Sequence, residues 1–249
     1  MTILEQSEVI GDFAEFGIRA FATSRDAGTF GVNGGEPVSE VMGRWNQLRQ
    51  ELAPSSAGIA GTAGTAGTAG GVRLASASQV HGNRVVVHHR GWEGWLRGDA
   101  ADGHVSIERG TALAVSVADC VPVFVAHPSG AIALLHSGWR GTVARIIERG
   151  IEALIHRGLP ASELRVHTGV AICGECYEVS PDVYGQLTGK VVDKPATVDL
   201  RAIIADHARG MGVRHITSSP SCTRCDNARF FSHRAGDSGR QLGVMFADE

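Results

Sequence analysis

From residue 112 to residue 135 the chain is almost unbroken in apolar character, and this limits the folds open to it more than any other feature. Thr111 to Ala118 and Val121 to Ala126 read as two strands, His127-Pro-Ser-Gly130 as a turn, and Ala131 to Leu135 as a third strand. A strand with one face in water alternates apolar and polar side chains. These strands do not alternate, so both of their faces must be covered. The longest run, Ala112 to Ala126, holds Ser116, Asp119 and Pro122 and is shorter than the ~20 residues a membrane span requires.

Other segments supply the cover. Ile18 to Thr23 and Arg84 to His88 read as strands, as do Gly103 to Ile107, Leu164 to Gly169 and Val213 to Thr217. The spacing of Val41, Met42, Trp45, Leu48 and Leu52 predicts a helix from Ser39 to Leu52, capped by Ser39. A stripe of Val143, Ile146, Ile147, Ile151, Leu154 and Ile155 predicts one long helix over 140–157, stopped by Gly158. Ser180-Pro181 and Asp199 each open a further helix. Residues 54–71, with three TAG triplets, are a low-complexity surface loop without the Lys of a phosphate-binding loop. Helices and strands mix with no second linker. The expectation is a single α/β (α+β) domain over 1–249, a layered sandwich of mixed β-sheets flanked by helices.

The 249 residues are 43% hydrophobic with a formal net charge of -3, so no basic excess points to nucleic acid. The N-terminal sequence carries acids where a secretory leader carries Lys or Arg. A cytoplasmic location is expected, with no membrane partner. The five Cys then sit among reductants, where metal binding or catalysis is favoured over disulfides.

Three segments carry candidate chemistry: Ser78-Gln-Val-His81-Gly82, Ala118-Asp-Cys120-Val-Pro122, and Leu134-Leu-His136-Ser-Gly-Trp-Arg-Gly141. Each sets one metal-ligating side chain where a strand meets a turn, with Gly82, Gly138 and Gly141 permitting close approach. Two imidazoles and a thiolate are a set that zinc accepts with its fourth position open. The helix start near Ser137 to Arg140 adds N–H groups and a forked guanidinium for an anion. No short-range spacing rule joins the three segments, and a buried Cys with two turn imidazoles is the competing reading. Gln79 and Ser137 flank these residues as substrate or phosphate contacts, or as plain strand-end polar groups. Asp102 reads either as the acceptor that orients a ligand His or as a turn Asp. Cys173-x-x-Cys176 and Cys222-x-x-Cys225 form a CxxC pair, which is a possible second metal site or a set of free thiols.

The blocks SQVHGNRVVV, ALAVSVADCVPVFVA, GAIALLHSGWRGT, AICGECYEVSPDVY and CTRCDNARFFSHRAGDSGRQLGV resemble, in order over about residues 74–246, the YfiH-type family. It is also called the laccase-domain, multicopper polyphenol oxidase or purine nucleoside phosphorylase family. The resemblance implies a layered α/β sandwich distantly similar to cysteine-dependent deamidase toxins. It implies a catalytic zinc on His81, Cys120 and His136. It also implies phosphorolysis of adenosine, inosine and methylthioadenosine to base and ribose 1-phosphate, with deamination of adenosine to inosine. Arg25 matches the Arg of the family's Ser-Thr-Arg stretch and reads as a substrate or phosphate contact, or as a salt-bridge Arg. His233 and Arg234 lie in a family-matching tail and are candidates for the pocket lining. Where the family carries Gly-Pro-Cys-Cys-Tyr this chain has Cys173-Gly-Glu-Cys176-Tyr177.

Rival readings are a cysteine-type amidohydrolase with Cys120 as nucleophile and His136 as base, and a hydrolase that edits peptidoglycan precursors. A copper phenol oxidase is disfavoured, because none of the 11 His forms a His-x-His pair and none of the Met residues neighbours the motifs. A nonenzymatic binding module leaves three converging ligand segments unexplained.

Overall fold

The computed structural model describes residues 1–32, 34–53 and 72–249. The loop expected at 54–71 lies outside the described residues, as does Asn33. Five strands supply most of the centre: β2 (Ile18–Thr23), β7 (Thr111–Val117), β8 (Val121–Ala126), β9 (Ile132–Ser137) and β14 (Gln241–Ala247). Around them are β1 (Ser7–Val9), β3 (Arg73–Ala77), β4 (Val85–His88), β5 (Trp95–Gly98), β6 (Gly103–Ser106), β10 (Arg165–Thr168) and β13 (His215–Ser218). A small two-stranded antiparallel sheet pairs β11 (Glu178–Val179) with β12 (Ala196–Thr197). The helices are α1 (Val38–Leu52), α2 (Trp139–Val143), α3 (Ile146–Ile155), α4 (Pro181–Thr188) and α5 (Leu200–Gly210).

Among the described residues two six-stranded mixed sheets result, ordered β1-β2-β14-β7-β3-β5 and β13-β10-β8-β9-β6-β4. The double-faced apolar run explains how they stack. Leu113, Val115 and Val117 of β7 share one cluster with Phe124 and Ala126 of β8, Ile132 and Leu134 of β9 and Met245 of β14. That cluster lies between the sheets. The other face of β7, Ala112 and Ala114, joins Val41, Trp45, Leu48 and Leu52 of α1. The other face of β8 and β9, Val121, Val123, Val125, Ala133 and Leu135, joins Ile147, Ile151 and Leu154 of α3 and Ile204 and Ala208 of α5. The order is therefore helix, sheet, sheet, helices. Each fully buried Val, Leu, Ile, Phe or Met contributes roughly 1.5–3 kcal/mol relative to exposure. The layered sandwich of mixed sheets flanked by helices is thus as the sequence predicts.

Several local expectations need correction. The helix predicted over 140–157 is two helices. Arg145 has φ 57°, a left-handed conformation that breaks the backbone ladder between α2 and α3. Val143 is only half-buried and Ile155 is exposed, so the buried stripe is shorter than the sequence pattern. Helix α1 begins one residue before Ser39, and Pro37 rather than Ser39 holds its cap position. Ser180 and Asp199 do cap α4 and α5. Ser180 Oγ accepts from Val183 N, and Asp199 Oδ1 accepts from Arg201 N at 2.9 Å and Ala202 N at 3.2 Å. Among the described residues, no helix is long and apolar enough to cross a membrane.

A buried imidazole pair sits between β4 and β6. His88 Nε2 lies 2.9 Å from His104 Nδ1, and His104 Nε2 has no hydrogen-bond partner among the described residues. One proton serves the pair, since two facing N–H donors would repel. Burial, and then the neighbouring His88, push His104 down to about 3. Unfolded His104 takes up a proton near pH 6.5 and folded His104 refuses it. Its contribution to stability is therefore present above about pH 6.5 and is lost as pH falls toward about 3, at about 1.4 kcal/mol per pH unit. Urea unfolding at pH 7.5 and pH 5.0 should show the native chain losing ~2 kcal/mol more between the two than His104→Leu does. Equal losses would remove this account.

Candidate metal centre

The centre is assembled at one end of the stacked sheets, around a carboxylate. Asp102, fully buried at the start of β6, accepts from three consecutive backbone N–H groups, those of Val80 (3.2 Å), His81 (2.9 Å) and Gly82 (2.8 Å). The loop after β3 wraps this carboxylate, and His81 takes φ 60° to do so. Such a conformation in a non-glycine residue costs energy that the surrounding bonds must outweigh. The same carboxylate accepts His136 Nδ1 at 2.8 Å, while the His136 backbone N–H donates to the Asp102 carbonyl at 2.7 Å. Nδ1 is thereby occupied and Nε2 is the nitrogen left for a ligand.

Cys120 ends the turn between β7 and β8. Asp119 beside it takes φ 80°, and its carboxylate accepts Thr223 Oγ1 at 2.6 Å and Arg234 N at 2.7 Å. Pairing of β8 with β9 puts Pro122 opposite His136, which brings the thiol to the imidazole. The donor atoms of His81, Cys120 and His136 all lie within 4.8 Å of one another. Gly138 passes so close that a Cβ there would sit 2.8 Å from Cys120 Sγ and 3.2 Å from the His81 ring. The glycine is needed here for space, since its φ of -81° is open to any residue.

Burial raises the Cys120 thiol, but the positive His136, with hydrogen bonds from His136 and His81, outweighs it and brings it to about 6. Burial lowers His136, but the Cys120 thiolate and the Asp102 carboxylate lift it to about 9. The groups are mutually charged near neutral pH. Thiolate is the ligating form of Cys, and an imidazole with its far nitrogen pinned by a carboxylate is the usual ligating form of His. Two imidazoles and a thiolate converging at a rigid sheet end fit a tetrahedral ion that keeps one position open, and zinc suits that donor set.

His81 and Cys120 border two cavities, and His136 borders the larger of them. The larger, about 470 Å³, is also lined by Phe30, Trp45, Ser76, Gln79, Arg97 and Arg240. The smaller, about 250 Å³, is also lined by Trp139, Arg140, Tyr177 and Arg234. His233 borders both. Arg140 lies over the Trp139 ring at 4.3 Å, and Arg234 over Tyr177 at 5.2 Å.

Not every residue singled out from sequence reaches these cavities with a free polar group. Gln79 lines the larger one, but its amide is spent on Ser116: Nε2 donates to the carbonyl at 2.8 Å, and Oε1 accepts from the N–H at 2.7 Å. It ties the ends of β3 and β7. Ser137 is buried with Oγ 2.9 Å from Thr142 Oγ1, and it lines neither cavity. Arg25 lines neither cavity as well. It is bound to Asp237 Oδ2 (2.7 Å) and to the carbonyls of Asn227 and Phe230, so it takes the salt-bridge alternative and fixes the C-terminal tail. Helix α2 is only five residues long, so the dipole expected from a long helix is that of little more than one turn. Asp119, Tyr177, Arg97 and Arg240 were not foreseen. Asp119 sits beside Cys120 in the ADC block, Tyr177 beside Cys176 in the CYEV block and Arg240 in the tail block, whereas Arg97 carries no such signal. Cys173, Cys176, Cys222 and Cys225 are also brought together, with sulfurs within 4.8 Å of one another.

Asp102→Asn keeps the shape of the side chain but leaves one acceptor oxygen for four N–H donors. Metal affinity at His81, Cys120 and His136 should fall about 10–100-fold, read by competition with a chromophoric chelator. Unchanged affinity would mean that the carboxylate does not organise the ligands.

Comparison with known proteins agrees with this architecture. The chain is 34% identical over 182 residues to a purine nucleoside phosphorylase of Streptomyces griseus, covering 69% of this chain and 73% of the relative. It is 33% identical over 211 residues to one of Streptomyces coelicolor, covering 80% and 81%. A protein named adenosine deaminase, from an unknown prokaryotic organism, is 35% identical over 160 residues, covering 59% of each chain. Among solved structures, YlmD of Geobacillus stearothermophilus superposes with a TM-score of 0.81 at 25% identity over 94% of both chains. YfiH of Bacillus licheniformis, a hypothetical protein, superposes with a TM-score of 0.81 at 20% identity, over 98% of this chain and 97% of the other. The family model described as multi-copper polyphenol oxidoreductase laccase matches residues 61–248, and the chain belongs to this laccase-domain, YfiH-type family.

Proposed function

We propose that the protein is a zinc-dependent purine nucleoside phosphorylase of the cytoplasm that also deaminates adenosine. Its substrates are adenosine, inosine or methylthioadenosine together with phosphate, with neither nucleic acid nor membrane as a partner. The observation that carries the reading is a metal-competent His81, Cys120, His136 set opening onto two cavities, the smaller of which has two guanidinium groups on its wall. The names of the relatives at 33–35% identity support it.

Bound by those three side chains, zinc would supply positive charge to polarise the reacting groups. Arg140 and Arg234 hold the phosphate by charge-assisted hydrogen bonds in the smaller cavity. The larger cavity takes the nucleoside, with Phe30, Ala77 and Ala114 as apolar wall and Ser76 and Ser78 as polar contacts. A phosphate oxygen forms a bond to the anomeric carbon as the glycosidic C–N bond breaks, and the electron pair of that bond leaves with the purine. His233 borders both cavities and donates the proton the departing base needs. Asp102 keeps His136 in one tautomer throughout. In deamination water replaces the amino group at the purine C6 and ammonia leaves.

Incubation of the purified, zinc-loaded protein with adenosine and phosphate should give ribose 1-phosphate equal to the sum of adenine and hypoxanthine, with inosine beside them, by chromatography. Arg140→Ala should raise the KM for phosphate about tenfold or more while changing that for adenosine little, which is the loss of one hydrogen bond to a charged group. Unchanged adenosine would overturn the proposal.

One observation favours a second reading. Cys120, His136 and Asp102 are also aligned as nucleophile, base and orienting acid, which is the arrangement of a cysteine amidohydrolase. The two roles for Cys120 exclude each other, because a thiolate engaged with a metal is poorly available for attack. Under the zinc proposal, chelation should abolish nucleoside turnover and added zinc should restore it. Activity that survives chelation but is lost on alkylation of Cys120 would establish the nucleophile instead.

A further inference from the structure

The two CxxC loops lie outside both cavities, and the chemistry above makes no use of them. Their sulfurs are nonetheless gathered from distant parts of the chain. Cys173 and Cys176 follow β10, whereas Cys222 and Cys225 follow β13. A short bridge between Ala171 and Cys222, with Thr223 N donating to the Ala171 carbonyl at 3.1 Å, sets the two loops side by side. Each loop is a tight turn. Cys176 N and Tyr177 N donate to the Cys173 carbonyl at 3.1 and 3.0 Å, and Asp226 N donates to the Cys222 carbonyl at 2.9 Å.

Two details mark the cluster as a built site. Backbone N–H groups point at sulfur: Cys173 N and Cys225 N lie 3.2 and 3.5 Å from Cys222 Sγ, an arrangement that stabilises a thiolate. The dimensions are also those of one ion. A tetrahedral zinc with Zn–S of about 2.3 Å spaces its sulfurs by roughly 3.8 Å. Here all four lie within 4.8 Å of one another and the Cys176 to Cys225 separation is 3.4 Å. A cluster of several irons would spread its cysteines farther.

We propose that Cys173, Cys176, Cys222 and Cys225 bind a second, structural zinc ion that clasps the β10 and β13 loops together. The site is closed, with four thiolates and no position for substrate. Its place in the fold gives it a task. Tyr177, on the wall of the smaller cavity, is the residue after Cys176. Thr223, the residue after Cys222, donates to Asp119 and so holds the turn that presents Cys120. The clasp is a positioning element for the wall of the centre.

The test is metal counting on the full chain, purified without chelator under reducing conditions. The native protein should hold one more equivalent of zinc per chain than Cys176→Ser/Cys225→Ser, whichever metal occupies the His81, Cys120, His136 set. The difference should persist in a His81→Ala background, which separates this site from the proposed active centre. Cys225 is exposed, so the milder Cys225→Ser alone is the second variant. Its circular dichroism should match the native chain, with weakened zinc retention. On the unaltered protein, mass spectrometry of alkylated peptides should find the four thiols protected until a strong chelator is added. Equal zinc in native and variant protein would overturn the proposal. So would ready alkylation of all four thiols before chelation, or a Cys176–Cys225 disulfide in protein kept reduced.

Discussion

The centre depends on the hydrogen bonds made by one carboxylate. Asp102 has no exposed surface, and a carboxylate taken out of water is tolerated only when its lone pairs are filled. Three consecutive N–H groups of the 80–82 loop and one imidazole N–H fill them. The demand runs both ways. The loop adopts a left-handed His81 because that lets its N–H groups converge, and His136 is fixed because its ring completes the set. Strand pairing then does the rest, since β9 carries His136 beside the turn from which Cys120 projects. Ligands from three strand ends meet without any contribution from local sequence spacing.

This separates what the sequence discloses from what it conceals. The β7, β8 and β9 segments were legible because two-sided burial leaves a continuous apolar run. The three donor segments were legible through their family blocks and through the residue types at strand ends. Strand β14 is hard to read although all seven of its residues are buried, because it opens on the polar Gln241 and Gly243 interrupts its apolar run. Strand β5 is short and half-exposed, so its pattern is weak. The break at Arg145 has no apolar signature, since the stripe continues through Ile146 and Ile147. Arg25 illustrates the limit for polar residues. Its partner Asp237 is at the far end of the chain, and only the folded tail brings the two together.

The tail from Cys222 to Arg240 has more structural work than its irregular course suggests. Burial raises the Asp237 carboxyl, but its bond to Arg25 and those it accepts from Ser232 N and Asn227 Nδ2 outweigh this and hold it at about 2. Gln241 braces Phe231 from both directions, accepting its N–H at 2.8 Å and donating to its carbonyl at 3.1 Å. These bonds carry His233 and Arg234 to the cavities from a segment without regular secondary structure. The Asp119 carboxylate joins the same network through Thr223 and Arg234, so the Cys120 turn and the tail are one unit.

Charge balance links that unit to the chemistry. Near neutral pH the centre holds the Asp102 carboxylate and the Cys120 thiolate at low solvent exposure, countered without a metal by the proton on His136. Such a cluster is one charge short of neutral. A divalent cation that displaces the His136 proton brings thiolate, carboxylate and cation to neutrality, which favours the ion over the proton as the counter-charge. The neutral centre then has no excess charge with which to draw an anion. Positive charge beside it comes from the wall of the smaller cavity, where Arg140 and Arg234 belong to two different elements and each lies over an aromatic ring, neither paired with a carboxylate among the described residues. A ring face holds each guanidinium, and Arg234 spends one N–H on the Glu178 carbonyl at 3.0 Å, so the planar forks keep donors that a salt bridge would have consumed.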